Sequence, residues 1–111
     1  MQIATTLSND LLIIHVQEPR IDAACAIDFK EAMRAAITPQ GQRIVLDLAQ
    51  VNFIDSSGLG AVVSVRKMLW PDRVLELACL TAPVEKVFHL TRMNSIFPIH
   101  ATLPEIRQQA V

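Results

Sequence analysis

The sequence predicts an α/β domain: a mixed, mostly parallel sheet led in by an N-terminal hairpin and carrying about four helices. Three observations point there. β-rich apolar runs at residues 11–16, 44–48 and 74–80 alternate with stretches whose apolar residues recur every three or four positions. The connections between the later runs are long enough to hold a helix, as parallel strands require. No repeat, linker or composition shift divides the 111 residues, so one domain spans 1–111. With 51% apolar residues it can form a core without metal or disulfide support.

Leu11-Leu12-Ile13-Ile14-His15-Val16 reads as a strand after the turn-prone Ser8-Asn9-Asp10, and Ile3 to Leu7 pairs back on it as a hairpin. From Asp22, which is expected to cap it, a first helix shows the stripe Ala26, Phe29, Met33 and Ile37. Thr38-Pro39-Gln40-Gly41 ends it, and Ile44 to Leu48 reads as a strand buried on both faces at the centre of the sheet. A second helix starts near Ser57, with Leu59, Val62, Val65 and Leu69 inward and Ser64, Arg66 and Lys67 outward, and stops at Trp70-Pro71-Asp72. After the strand Val74 to Leu80, Pro83 opens a third helix with the stripe Val84, Val87, Phe88 and Thr91. A short strand near Ile99 and a last helix from Pro104 close the order.

Composition excludes several functions. Ten basic against eleven acidic residues leave a net charge of -1, without the basic excess that binding a phosphate backbone demands, so no nucleic acid partner is expected. The longest apolar run, Ala23 to Ile27, is far below a membrane span, and the N-terminus lacks a charged and then apolar leader. The expectation is a soluble, cytoplasmic protein with no membrane partner. Cys25 and Cys79 sit among apolar residues as reduced core cysteines do, and His15, His89 and His100 have no metal-ligand spacing. Neither a metal nor a cofactor is expected.

One segment departs from scaffold: Val51-Asn52-Phe53-Ile54-Asp55-Ser56-Ser57-Gly58-Leu59-Gly60, running from a strand into a helix and holding two of the three glycines. Glycine in the first turns of a helix costs about 1 kcal/mol relative to alanine, so something must approach the backbone closely there. Asp-Ser-Ser before a helix is first of all an N-cap, with Ser56 read as a cap and not a target and Asp55 suited to an Asx-type turn. The functional alternative needs only an exposed serine at the helix N-terminus, placed to enter another protein's active site.

This segment, with Val45-Leu46-Asp47-Leu48 before it, Arg20-Ile21-Asp22 ahead of the first helix and Leu80-Thr81-Ala82-Pro83-Val84 ahead of the third, resembles the STAS-domain anti-sigma factor antagonists over essentially the whole chain. The resemblance implies a non-enzymatic, phosphorylated protein that is monomeric when free and acts by partner switching in signal transduction and transcription regulation. Unphosphorylated, it would bind a histidine-kinase-like serine kinase that doubles as an anti-sigma factor, and so release that factor's target. Phosphorylation would fall on Ser57 and end binding, and a metal-dependent serine phosphatase would reset the chain. Asp22, Asp55, Ser56, Gly58, Leu59 and Gly60 would form the partner-binding surface around Ser57, with Met68 a candidate adaptable contact. Pro19-Arg20 and Trp70-Pro71-Asp72 depart from the glycine-containing loops usual in the family.

Two rivals stand beside this reading. A non-switching STAS accessory or scaffold subunit of a transporter or stress-sensing complex would share the fold. An enzyme with Ser57 as nucleophile is disfavoured: the position two before it is Asp55 where a nucleophile elbow needs glycine, and no motif ties a histidine to the serine.

Overall fold

The computed structural model describes residues 1–37 and 43–104. β1 (Ile3–Ser8) and β2 (Leu11–Val16) form the leading hairpin, antiparallel from Ile3 opposite Val16 to Ser8 opposite Leu11. Its turn holds Asn9 at φ 52°, a left-handed conformation that asparagine tolerates better than most residues. A two-residue strand β3 (Arg20–Ile21) leads to α1 (Ala26–Ala36), and β4 (Arg43–Asp47) pairs parallel to β2. A second two-residue strand, β5 (Phe53–Ile54), feeds α2 (Ser56–Leu69). Then come β6 (Val74–Ala78), α3 (Ala82–Leu90), a 3-10 turn at Met93–Ser95 and β7 (Ile99–His100).

The main sheet has the order β1-β2-β4-β6-β7, with only β1 antiparallel to its neighbour. From β2 onward the order advances in one direction, so right-handed crossovers place all three helices on one face. Alternate strand residues Leu12, Ile14, Val16, Ile44, Leu46, Leu75 and Leu77 pack there against Phe29 and Met33 of α1, Val62, Val65 and Leu69 of α2, and Val84 and Phe88 of α3. β4 is central, and Ile44, Val45 and Leu46 are fully buried, as its unbroken apolar run predicts.

The opposite face combines a small apolar patch, Leu11, Ile13, Val45 and Ala78, with two polar ladders. Thr6 Oγ1 lies 3.1 Å from His15 Nε2, and His15 Nδ1 lies 2.7 Å from Asp47 Oδ2. Arg43 donates twice to Glu76, at 3.0 and 2.8 Å, and His100 Nε2 lies 2.6 Å from the same carboxylate. The first ladder joins β1, β2 and β4 and the second joins β4, β6 and β7, so the pairs lace all five strands together. The Arg43 hydrogen bond holds the Glu76 carboxyl below the usual carboxylate range. A lowered pKa contributes stability that is present above the unfolded pKa and lost as pH falls through the folded one. Glu76→Gln is therefore expected to cost about 1 kcal/mol near neutral pH, with the gap to the unaltered chain closing below about pH 4. Urea midpoints of both chains across that range check this.

Several expectations change. α1 begins at Ala26 with Cys25 in the cap position and no side-chain cap, because Asp22 instead closes the preceding turn, its Oδ1 accepting from Ala24 N–H at 3.1 Å. Both cysteines are free but only half-buried, and burial nonetheless pushes both thiols up. Arg66 does not point out to solvent: its guanidinium stacks over Trp70 at 4.8 Å and Phe97 at 5.9 Å, and its Nε is buried. Thr91 is exposed rather than part of the α3 stripe. The expected stop at residues 38–41 and the last helix lie largely outside the described residues.

Candidate functional site

The site is built where the two-residue strands meet. β3 and β5 pair in parallel, Arg20 opposite Phe53 and Ile21 opposite Ile54, and Asn52 N–H donates to Pro19 O at 2.7 Å. Matched register makes the next residue of each strand leave side by side: Asp22 from one, Asp55 from the other. The buried Ile21 and Ile54 anchor the pair in the core. From the β6–α3 connection, Thr81 Oγ1 donates to Val51 O at 2.6 Å, so a third segment holds the loop.

Asp55 organises the start of α2. Its Oδ1 accepts from Gly58 N–H at 2.8 Å, capping the helix, while Oδ2 accepts from Ala23 N–H at 3.1 Å and ties the helix start to the turn before α1. These bonds, Gly58 N–H foremost, hold the Asp55 carboxyl below its usual value, so it stays ionised and oriented at neutral pH. The cap is thus Asp55, as an Asx-type turn requires, and Ser56 is the first helical residue instead of the cap. Ser56 and Ser57 are both exposed, and among the described residues neither hydroxyl is engaged by a protein hydrogen bond. Ser57 stands in the first turn of a fourteen-residue helix, where the backbone dipole favours negative charge.

The two glycines have different reasons. A Cβ on Gly58 would overlap the carbonyl oxygen of Ile21 and lie 2.7 Å from its carbonyl carbon and 3.0 Å from Ile54 Cγ1. The close approach at Gly58 is therefore made by the chain's own β3. Gly58 is buried, so it does not offer the face to a partner that the sequence resemblance implies. A Cβ on Gly60 would meet nothing within 4 Å, and Gly60 is exposed one turn beyond Ser56 and Ser57. Leu59 is half-buried and packs against the core.

The structure thus brings Asp22, Asp55, Ser56, Ser57 and Gly60 to one surface and withdraws Gly58 and most of Leu59. It adds two residues to which the sequence assigns no role in the site. Phe53 is 46% exposed, and Arg20 lies over its ring at 5.4 Å while reaching Asp22 at 3.7 Å. A phenylalanine beside the Asp-Ser-Ser motif, outside any apolar stripe, is the signal that could have found them. Among the described residues no group of three His, Cys, Asp or Glu side chains is gathered as for a metal ion, and no histidine hydrogen-bonds Ser57. What the arrangement can do is present an exposed hydroxyl, with the open backbone of Gly60 beside it, to another protein.

The pattern of the STAS domain family matches residues 2–106. The chain is 30% identical over 91 residues to BtrV of Bordetella bronchiseptica, which its name places provisionally among the anti-sigma factor antagonists; the match covers 81% of this chain and 78% of that one. Among solved structures, an anti-sigma factor antagonist from Mycobacterium paratuberculosis superposes with a TM-score of 0.81 at 22% identity, covering 92% of this chain and 86% of that one. The Bacillus anti-sigma factor antagonist SpoIIAA superposes in its unphosphorylated form with a TM-score of 0.68 at 18% identity, covering 88% and 87%. Its phosphorylated form gives 0.63 at 17%, covering 88% and 90%. The fold also recurs in a sulfate transporter family protein from Wolinella succinogenes, with a TM-score of 0.73 at 12% identity over 88% and 82%.

Proposed function

The chain belongs to the STAS domain family, and from that premise we propose that it is an anti-sigma factor antagonist whose binding is switched by phosphorylation of Ser57. The observation that carries the reading is the exposed Ser57 hydroxyl, bonded to no protein group among the described residues, in the first turn of a helix whose start Asp55 fixes by accepting from both Gly58 and Ala23. A kinase active site needs a hydroxyl that is accessible and already positioned, and this one is both.

The unmodified chain docks on a histidine-kinase-like serine kinase that also acts as an anti-sigma factor, and releases that factor's target. In the docked pair the Ser57 oxygen attacks the γ-phosphorus of ATP; the O–P bond forms, ADP leaves, and the hydroxyl proton passes to a base on the kinase. The product carries about -1.5 to -2 added charge at a helix N-terminus, where it is tolerated by the free chain. Asp55, two residues before Ser57, is an anchored carboxylate at the same helix start, Asp22 leaves the neighbouring strand, and Arg20 is already turned toward Asp22 and Phe53. The charge therefore acts on the contact with the partner and not on the fold. A metal-dependent serine phosphatase reverses the step.

The test incubates the chain and its Ser56→Ala and Ser57→Ala variants with ATP and the histidine-kinase-like protein encoded nearest to it. Phosphate is expected on the parent chain and on Ser56→Ala, and none on Ser57→Ala. Unchanged labelling of Ser57→Ala would remove the site assignment. Recovery of transporter subunits with the chain from cells, with Ser57 unmodified, would favour the accessory-subunit role that the shared transporter fold allows.

A further inference from the structure

A shallow groove runs between α1 and α2, lined by Lys30 and Arg34 of α1 and Ser64, Val65 and Met68 of α2. Helix geometry fixes its position relative to Ser57. Ser57 precedes Ser64 by seven residues and Met68 by eleven, so the three share one flank of α2, the flank turned toward α1. On α1, Ile27, Lys30 and Arg34 are spaced by three and four and share the facing flank. The groove therefore leads away from the proposed phosphorylation site along the same pair of helices.

Its chemistry is uneven for a chain of net charge -1. Lys30 and Arg34 line it, and no carboxylate does. Among the described residues neither of these two cations is held in an ion pair. Of the acidic residues of α1, Asp28 lies about 100° round the helix from Ile27, whereas Glu31, four residues after Ile27 and three before Arg34, stands at the edge of the same flank and among the described residues is in no ion pair. Beside the cations stand two exposed apolar side chains, Ile27 at 67% and Met68 at 43%. Cations without partners beside an adaptable methionine suit an acidic segment that also carries an apolar side chain.

We propose that this groove is the surface by which the chain selects its kinase, receiving an acidic segment of that kinase with an apolar anchor seated against Met68. The proposal rests on the partner-switching reading and adds to it a contact that does not touch the reacting hydroxyl. The groove then sets affinity and partner choice, whereas Ser57 sets the switch.

The test is a Lys30→Glu/Arg34→Glu double variant, with Lys86→Glu, exposed on α3, as the charge control. Binding to the kinase that phosphorylates Ser57 is measured between about 50 and about 300 mM salt, where screening changes steeply. The double variant is expected to lose about tenfold or more in affinity and to show a flatter salt dependence, with KM for the chain raised and kcat for Ser57 phosphorylation kept. Lys86→Glu is expected to behave as the parent chain, and all three should share one urea midpoint. Parent-like binding by the double variant, or an equal loss in Lys86→Glu, overturns the groove while Ser57 labelling persists, leaving the switch intact. Absence of any binding or labelling of the parent chain overturns both. If the double variant keeps its affinity for the kinase and instead loses binding to phosphatidylserine vesicles, the proposal falls in favour of a membrane surface.

Discussion

Gly58→Ala is expected to destabilise the chain by about 3 kcal/mol or more, at the upper end of what overpacking produces. The reason lies in what the added methyl group meets. The obstacle is the Ile21 backbone carbonyl, with Ile54 Cγ1 behind it. A flexible side chain could swing aside, but Ile21 is held in register with Ile54 by β3–β5 pairing and is fully buried. Relief therefore requires α2 to back away from β3, which breaks the Asp55 to Ala23 bond as well. Against a total stability of about 5–15 kcal/mol this is a large fraction, and for a domain of this size it lowers Tm by roughly 12 °C or more. Gly60→Ala should have the opposite sign. The methyl group enters open space in a helix, so stability should rise by about 1 kcal/mol. Thermal melts of the two variants side by side check both signs, and similar midpoints would show the β3 contact to be softer than its geometry implies.

The second large effect concerns binding. Phosphorylated Ser57, or Ser57→Glu, is expected to bind the kinase about 100-fold or more weakly than the parent chain, equivalent to about 2.8 kcal/mol. Ser57 is exposed in the free chain, so the modification costs little there; in the proposed complex the same charge would be taken out of water. Asp22 and Asp55 add repulsion, and Arg20 is engaged elsewhere. Calorimetry of the purified chain before and after kinase treatment measures the effect. Its unfolding midpoint should move little across the modification. Equal affinity of the two forms would mean that charge at Ser57 is not what ends the association.

How much of the fold and site is legible in the sequence depends on the length scale of each signal. The hairpin, the central strand and three helices announce themselves because Leu11 to Val16, Ile44 to Leu48 and the α2 stripe repeat at the period of their own backbone. β3 and β5 are two residues each, too short for any period, yet their register is what places Asp22 beside Asp55. The Asp-Ser-Ser-Gly motif marks the right turn, but capping can be assigned to Asp55 over Ser56 only once the Gly58 and Ala23 N–H groups are located. Gly58 and Gly60 look alike in sequence and are separated only by Ile21, far earlier in the chain and in direct contact in space. The ladders escape for the same reason: Arg43, Glu76 and His100 are distant along the chain and meet only because β4, β6 and β7 are neighbours.

The antiparallel first strand has a practical consequence for anyone attaching a reporter. β2, β4 and β6 all run toward the Ser57 end, so β1, opposed to them, begins there. Gln2 N–H reaches Glu18 at 2.8 Å and Gln2 O accepts from Gln17 N–H at 2.9 Å, just before the β3 segment that borders the site. An affinity handle or fluorescent protein fused to Met1 would emerge beside the proposed docking surface and is expected to obstruct the event it was meant to observe. The hairpin tip at Asn9-Asp10 is exposed and points to the far end of the sheet, which makes it the place for a dye or a surface tether.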